Sequence, residues 1–201
     1  ELVNACKKTN AWLGVDDAHG FGVLGEKGGG TLEHYNLAVE DVPILMATFG
    51  KALGCFGAFV AGDDIVIEAL MQNARPYIYT TALPPSLAVA AVRALELLEE
   101  ENWRREHLNF LIERFREASA TSGIPVSDSM TPIQPLIIGS DQKALQISQA
   151  LLESGILVSA IRPPTVPEGT ARLRITLSAA HTEDQLDNLV DKLSQVWEKQ
   201  A

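Results

Sequence analysis

The 201-residue chain predicts an α/β fold, a sheet with flanking helices followed by a smaller C-terminal α+β unit. Three observations carry this. Strand and helix signals alternate through the first half, the order expected of packed α/β layers. The strand candidates there are unbroken apolar runs, which suit a sheet covered on both faces. After Gly123 the pattern changes to short strands interleaved with two strongly periodic helices.

Glu1-Leu2-Val3-Asn4-Ala5-Cys6-Lys7-Lys8 reads as the latter half of an amphipathic helix. It has neither an initiator Met nor an N-cap, so the chain is expected to start inside a larger protein. Residues 12–15, 42–48 and 56–61 are apolar and predict strands, the first a short buried one. Residues 64–72 predict a helix, with Ile65, Ile67, Ala69 and Leu70 supplying apolar contacts, and residues 77–80 a brief extended piece. Pro84-Pro85-Ser86 opens a long helical stretch, because Pro is tolerated in the first turn, where N–H groups lack intrahelical partners. Leu87, Ala91, Leu95 and Leu98 mark one buried stripe; Leu108, Leu111, Ile112 and Phe115 mark a second, after Glu99-Glu100-Glu101. Gly123 ends it.

Beyond Gly123, residues 133–138, 156–161 and 173–177 predict strands. Residues 141–153 predict a helix with Ser140 as N-cap and Gly155 as stop. In the last helix Thr182 and Gln185 have capping-box spacing, and Leu186, Leu189, Val190, Leu193 and Trp197 repeat at helical intervals.

Apolar residues make up 46% and charged residues 21%, ample for a core and ordinary for a globular protein. The formal charge of −10 argues against nucleic acid or an anionic membrane as partner. Cys6 and Cys55 have neither metal-ligand spacing nor a disulfide pattern, so a reducing, cytoplasmic setting is the default. No apolar run is long enough to span a bilayer, and no signal peptide is recognised.

The chemistry centres on Lys51. It lies in Thr48-Phe49-Gly50-Lys51-Ala52-Leu53-Gly54, a glycine-flanked loop after an apolar run. Upstream, Val15-Asp16-Asp17-Ala18-His19-Gly20 ends another apolar run in a carboxylate. A strand-end Asp and a loop Lys are what a pyridoxal-phosphate site needs: the amine condenses with the aldehyde, and the carboxylate keeps the ring nitrogen protonated. The cost of burying an anion is offset by that protonated pyridine. Asp17 is the better candidate for a carboxylate that merely caps the next turn. Metal binding by Asp16 and His19 is a poor reading, since no third ligand is in view. Gly20-Phe21-Gly22-Val23-Leu24-Gly25 matches a dinucleotide-binding G-x-G-x-x-G, but no helical pattern starts there, so it reads as a loop.

Four motifs occur in order: Val15-Asp16-Asp17-Ala18-His19-Gly20, Thr48-Phe49-Gly50-Lys51, Tyr79-Thr80-Thr81-Ala82-Leu83-Pro84-Pro85 and Ala171-Arg172-Leu173-Arg174. Together they resemble the α-oxoamine synthases, fold-type I pyridoxal-phosphate enzymes. The resemblance implies a mostly parallel large domain whose C-terminal part is residues 1–95, a connecting long helix over 96–122 and a small domain over 123–201. It implies pyridoxal 5'-phosphate as cofactor, Lys51 as its covalent anchor and α-carbon acid/base, Asp16 at the ring nitrogen and His19 at the phenolic oxygen. Thr48 is implied as a phosphate-contacting hydroxyl, and Thr80 and Thr81 as reaching the phosphate in a neighbouring subunit of a homodimer. Arg174 is implied as the guanidinium for the substrate carboxylate, with Arg172 on the same strand face as a structural or surface partner. The family joins an amino acid to an acyl thioester with loss of carbon dioxide. The segment Ile161-Arg162-Pro163-Pro164-Thr165-Val166-Pro167-Glu168-Gly169-Thr170 tilts the resemblance to the member using L-alanine and a pimeloyl thioester, carried by coenzyme A or acyl-carrier protein. Members using glycine are the alternative. A non-catalytic interaction module is the other, and it would be expected to have lost Lys51 or Asp16. The family's ring-stacking His, a glycine-containing phosphate turn and the first strands lie upstream of these motifs, so the site is expected to be incomplete in this chain.

Overall fold

The computed structural model describes residues 1–200, with only the backbone of Gln200, as two compact units, Glu1–Asn102 and a second from Trp103 onward.

The first unit opens with α1 (Leu2–Thr9), which ends where Asn10 turns left-handed and its N–H bonds the Cys6 carbonyl. Then come β1 (Gly14–Asp16), α2 (Thr31–His34), β2 (Ile44–Thr48), β3 (Ala58–Gly62), α3 (Asp64–Asn73), α4 (Arg75–Ile78) and α5 (Pro85–Glu100). The strands form one sheet in the order β1-β2-β3. β1 and β2 run parallel, with Asp16 opposite Met46; β2 and β3 are antiparallel, with Thr48 opposite Ala58. The pairing is therefore mixed rather than mostly parallel in this unit.

Several local expectations are corrected here. Residues 77–80 are not extended: Arg75-Pro76-Tyr77-Ile78 form a helical turn, which Pro at its second position favours over the β-propensity of Tyr and Ile. Trp12 lies outside β1 and is exposed, and Phe56 lies outside β3. The helix expected over 64–72 is present, N-capped by Asp63, whose carboxylate accepts from Ile65 N at 2.9 Å. Its apolar residues are not core, however: Ile65 is 80% exposed and none of the helix is buried. The α5 stripe is likewise only partly covered, with Ala91 buried and Leu95 exposed. The strands are half-covered, not enclosed on both faces; within β2 only Ala47 is fully buried.

The helix expected over 96–122 is interrupted. α5 stops at Glu100, Glu101 leaves the helical basin (φ −111°, ψ 56°), and α6 (Trp103–Thr121) starts afresh. Glu99, Glu100 and Glu101 place negative charge at the negative end of the α5 dipole, which disfavours continuing the helix. Arg93 partly offsets this by pairing with Glu96 and Glu100.

The second unit continues with β4 (Ile133–Gly139), α7 (Asp141–Glu153), β5 (Ser159–Ile161), β6 (Ala171–Thr176) and α8 (Glu183–Gln200). Its sheet is antiparallel, in the order β4-β6-β5. Side chains alternate along β6: Ala171, Leu173 and Ile175 are buried, while Arg174 and Thr176 on the other face are exposed and Arg172 is half-buried. α7 packs on all three strands, and α6 and α7 both pack on α8. Leu111, Phe115, Leu136, Ile147, Leu151, Leu173 and Leu193 are wholly excluded from water. Each such side chain is worth about 1.5–3 kcal/mol relative to an exposed one.

The helix ends follow the sequence. Ser140 Oγ accepts from Lys143 N at 3.3 Å. Thr182 and Gln185 bond reciprocally, Thr182 N to Gln185 Oε1 at 3.0 Å and Gln185 N to Thr182 Oγ1 at 3.2 Å. Gly123 and Gly155 are left-handed after their helices. Arg114 of α6 donates two parallel bonds to Asp187 of α8, at 2.9 and 2.7 Å. The hydrogen-bonded Arg114 holds the Asp187 carboxyl below its usual range, and Asp187 in turn raises Arg114.

Candidate active site

Because β1 and β2 are parallel, their carboxyl ends lie side by side, where open α/β sheets place their ligands. Asp17 N donates to the Met46 carbonyl at 2.7 Å, extending the pairing one residue past β1. Asp16 ends one strand and Thr48 ends the next. The loop after β1 carries His19, and the loop after β2 carries Lys51.

The Lys51 loop is a closed hairpin connection. Phe49 N bonds the Gly57 carbonyl at 3.0 Å, Cys55 N bonds Phe49 O at 2.8 Å, and Gly54 N bonds Lys51 O at 3.0 Å. Lys51 itself is exposed. Gly57 has φ 113°, a conformation that disfavours a side chain, and Leu83 and Phe49 lie against the space its Cβ would take. Cys55 Sγ also donates to Leu87 O at 3.5 Å, tying the loop to the start of α5. Phe59 on β3 packs edge-on against Phe21 and tilted against Phe49, both at 5.2 Å between centroids. This aromatic trio holds the two strand-end loops to the sheet. The sequence reading missed it because the three residues come from three separate segments.

Asp16 is exposed and its Oδ1 accepts from Ala18 N at 3.0 Å. His19 is exposed on the same turn. Thr48 Oγ1 is buried and has no hydrogen-bond partner. A buried unmatched hydroxyl is costly, and a phosphate-bearing ligand would satisfy it. A carboxylate at one strand end, a hydroxyl at the next and a primary amine in the loop beyond it are groups that fit pyridoxal phosphate.

Asp17 is a capping carboxylate, but of the start of α2 fourteen residues on rather than of the next turn. Buried to 3% exposure, it accepts from Thr31 N at 2.8 Å and from the Thr31 hydroxyl at the start of α2. The G-x-G-x-x-G string forms successive turns, with Gly22 and Gly25 at positive φ, and no helix begins there. Thr80 and Thr81 are exposed between α4 and α5, and the Thr80 hydroxyl donates to the Pro76 carbonyl. Arg174 belongs to the second unit, exposed at the centre of its sheet between Pro135 and Ser159. Arg172 Nε donates to Thr170 O at 3.1 Å on the same face. Among the described residues, no helix is long and apolar enough to cross a membrane, and no three His, Cys, Asp or Glu side chains gather as a metal site.

The chain matches the aminotransferase class I and II family over residues 1–193. It is 58% identical to the 8-amino-7-oxononanoate synthase of Stutzerimonas stutzeri over 196 residues, 98% of this chain and 50% of that protein. The chain spans about half the length of the curated relatives it matches. Two solved structures are similar. The 8-amino-7-oxononanoate synthase of Francisella tularensis superposes with a TM-score of 0.85 at 33% identity, covering 98% of this chain and 58% of that one. Serine palmitoyltransferase from S. paucimobilis, solved with a bound PLP–myriocin aldimine, gives 0.92 at 28% identity, covering 99% and 50%. On this match and these likenesses, the chain belongs to the aminotransferase class I and II family and has the fold-type I transferase fold.

Proposed function

We propose that the protein containing this chain is a pyridoxal-phosphate-dependent acyltransferase. It condenses L-alanine with a pimeloyl thioester, of coenzyme A or acyl-carrier protein, to give 8-amino-7-oxononanoate, carbon dioxide and the free thiol, a step of biotin biosynthesis. The observation that supports this is the parallel register of β1 and β2, which puts Asp16 and the unpartnered Thr48 hydroxyl at neighbouring strand ends with Lys51 in the loop that follows, in a chain 58% identical to a named 8-amino-7-oxononanoate synthase.

The residues divide the work. When bound, the cofactor supplies an electron sink for the substrate's α-carbon. Lys51 Nζ holds it covalently and later moves a proton at that carbon. Asp16 holds the proton on the ring nitrogen, His19 hydrogen-bonds the phenolic oxygen, and the Thr48 hydroxyl donates to the phosphate. Arg174 holds the amino acid's carboxylate through two parallel hydrogen bonds, which also orients the α-carbon. Thr80 and Thr81 serve the phosphate of a second copy's site in a cytoplasmic homodimer. The exposed apolar side chains nearby, Tyr77, Tyr79 and Leu83 with Val89 and Val92 of α5, support a covered face there.

The test uses the full-length protein. Added pyridoxal phosphate is expected to give a visible absorbance band, and borohydride to fix the label on Lys51. Lys51→Ala is expected to lose both. No band, or a label elsewhere, would remove the assignment. Turnover with alanine against glycine, and with pimeloyl against short acyl thioesters, decides the substrate pair.

A further inference from the structure

We propose that Asp17, the second carboxylate of the tandem pair, is the positioning residue of the site, clamping the loop that follows Asp16 and carries His19. The proposal rests on the cofactor reading above for what those two residues then do.

The geometry is specific. Side chains alternate at a strand end, so when Asp17 turns inward, Asp16 faces outward. Asp17 is buried, yet every polar group it has is engaged. Its N–H donates to Met46 O on β2, and its carbonyl accepts from Gly20 N at 3.0 Å and Phe21 N at 2.9 Å. Its carboxylate accepts from the backbone N–H and the hydroxyl of Thr31. Glycines flank that carboxylate: a Cβ on Gly20 would collide with Oδ1, and one on Gly30, at φ 79°, with Oδ2. A buried anion without a cationic partner is expensive unless hydrogen-bonded in this way. The cost is tolerable where the anion fixes a geometry, and here it closes residues 17–31 into a ring with His19 inside the bonded turn. Neither the Asp16 side chain, held by one bond to Ala18 N, nor the four-residue α2 turn, none of which is buried, could fix that geometry alone.

The experiment compares Asp17→Asn, Thr31→Val and Thr31→Ser in the full-length protein, by amide hydrogen exchange without cofactor and by pyridoxal-phosphate titration with visible circular dichroism. In Asp17→Asn, exchange at Gly20, Phe21 and Thr31 is expected to accelerate at least tenfold. Cofactor affinity should fall at least tenfold, with the dichroism of the remaining bound cofactor reduced. Thr31→Val is expected to fall between, and Thr31→Ser, which keeps both donors, to behave as the unsubstituted protein. A folded Asp17→Asn with unchanged exchange at these amides overturns the clamp, as does a variant that loses only melting temperature while keeping affinity and dichroism. Absence of any cofactor signal in the unsubstituted protein would sink the cofactor reading instead, and the exchange result would still decide whether Asp17 is a clamp.

Discussion

The two units spend their apolar residues differently. In the second, α7 packs on the antiparallel sheet, α6 and α7 pack on α8, and a row of side chains is wholly inaccessible. In the first, the sheet is half-covered, α3 buries nothing, and Ile65, Val89, Val92 and Tyr79 stand in solvent. Yet the first unit carries Asp16, Lys51 and the unpartnered Thr48 hydroxyl, the groups proposed to hold the cofactor. The contrast teaches that burial and chemistry can be set separately: hydrogen-bonded loops and one aromatic trio position the proposed site residues where apolar packing is thin.

The largest test of this contrast is truncation. Phe115→Ala is expected to lower the unfolding free energy of the second unit by about 3–5 kcal/mol, read from chemical denaturation. Ile65→Ala in the first unit should change stability by no more than about 0.5 kcal/mol. An equal loss at Ile65 would mean that a second copy covers that face, and the contrast would be one of assembly rather than of packing. A smaller effect, about 1 kcal/mol, is expected for Thr182→Ala, which removes half of the α8 capping box. The smallest concerns pH. Asp187 is held below its ordinary value of 3.8 by Arg114, so its contribution is fully present above that value and fades as pH falls toward its lower folded pKa. Asp187→Asn should therefore flatten the acid limb of a melting-temperature profile, an effect reduced by salt because the pair is partly exposed.

The legible parts of the sequence were those with long periodicity or explicit punctuation. The stripe Leu108, Leu111, Ile112 and Phe115 is buried as read, because four apolar residues over two turns specify one face. The Thr182–Gln185 spacing is a local bond pattern and survives any tertiary context. Arg75–Ile78 was not legible, since four residues carry too little periodicity to outweigh Tyr and Ile. The α5 stripe was legible as a helix but not as half-covered, because periodicity says which side is apolar and nothing about what lies against it. At the proposed site, Asp16, Thr48 and Lys51 could be named from the chain, but the neighbouring strand ends that carry Asp16 and Thr48 depend on the parallel register of β1 and β2, and the bonding of Asp17 depends on Thr31, fourteen residues away.

The strict alternation along β6 also limits how this protein can change in length. Deleting one residue between Ala171 and Arg174 would swing a guanidinium into the hydrocarbon interior and a leucine into water. Insertions and deletions should therefore accumulate in the largely exposed stretch from Arg162 to Gly169, leaving that turn as the place where related sequences can diverge in size without disturbing the strand that carries Arg174.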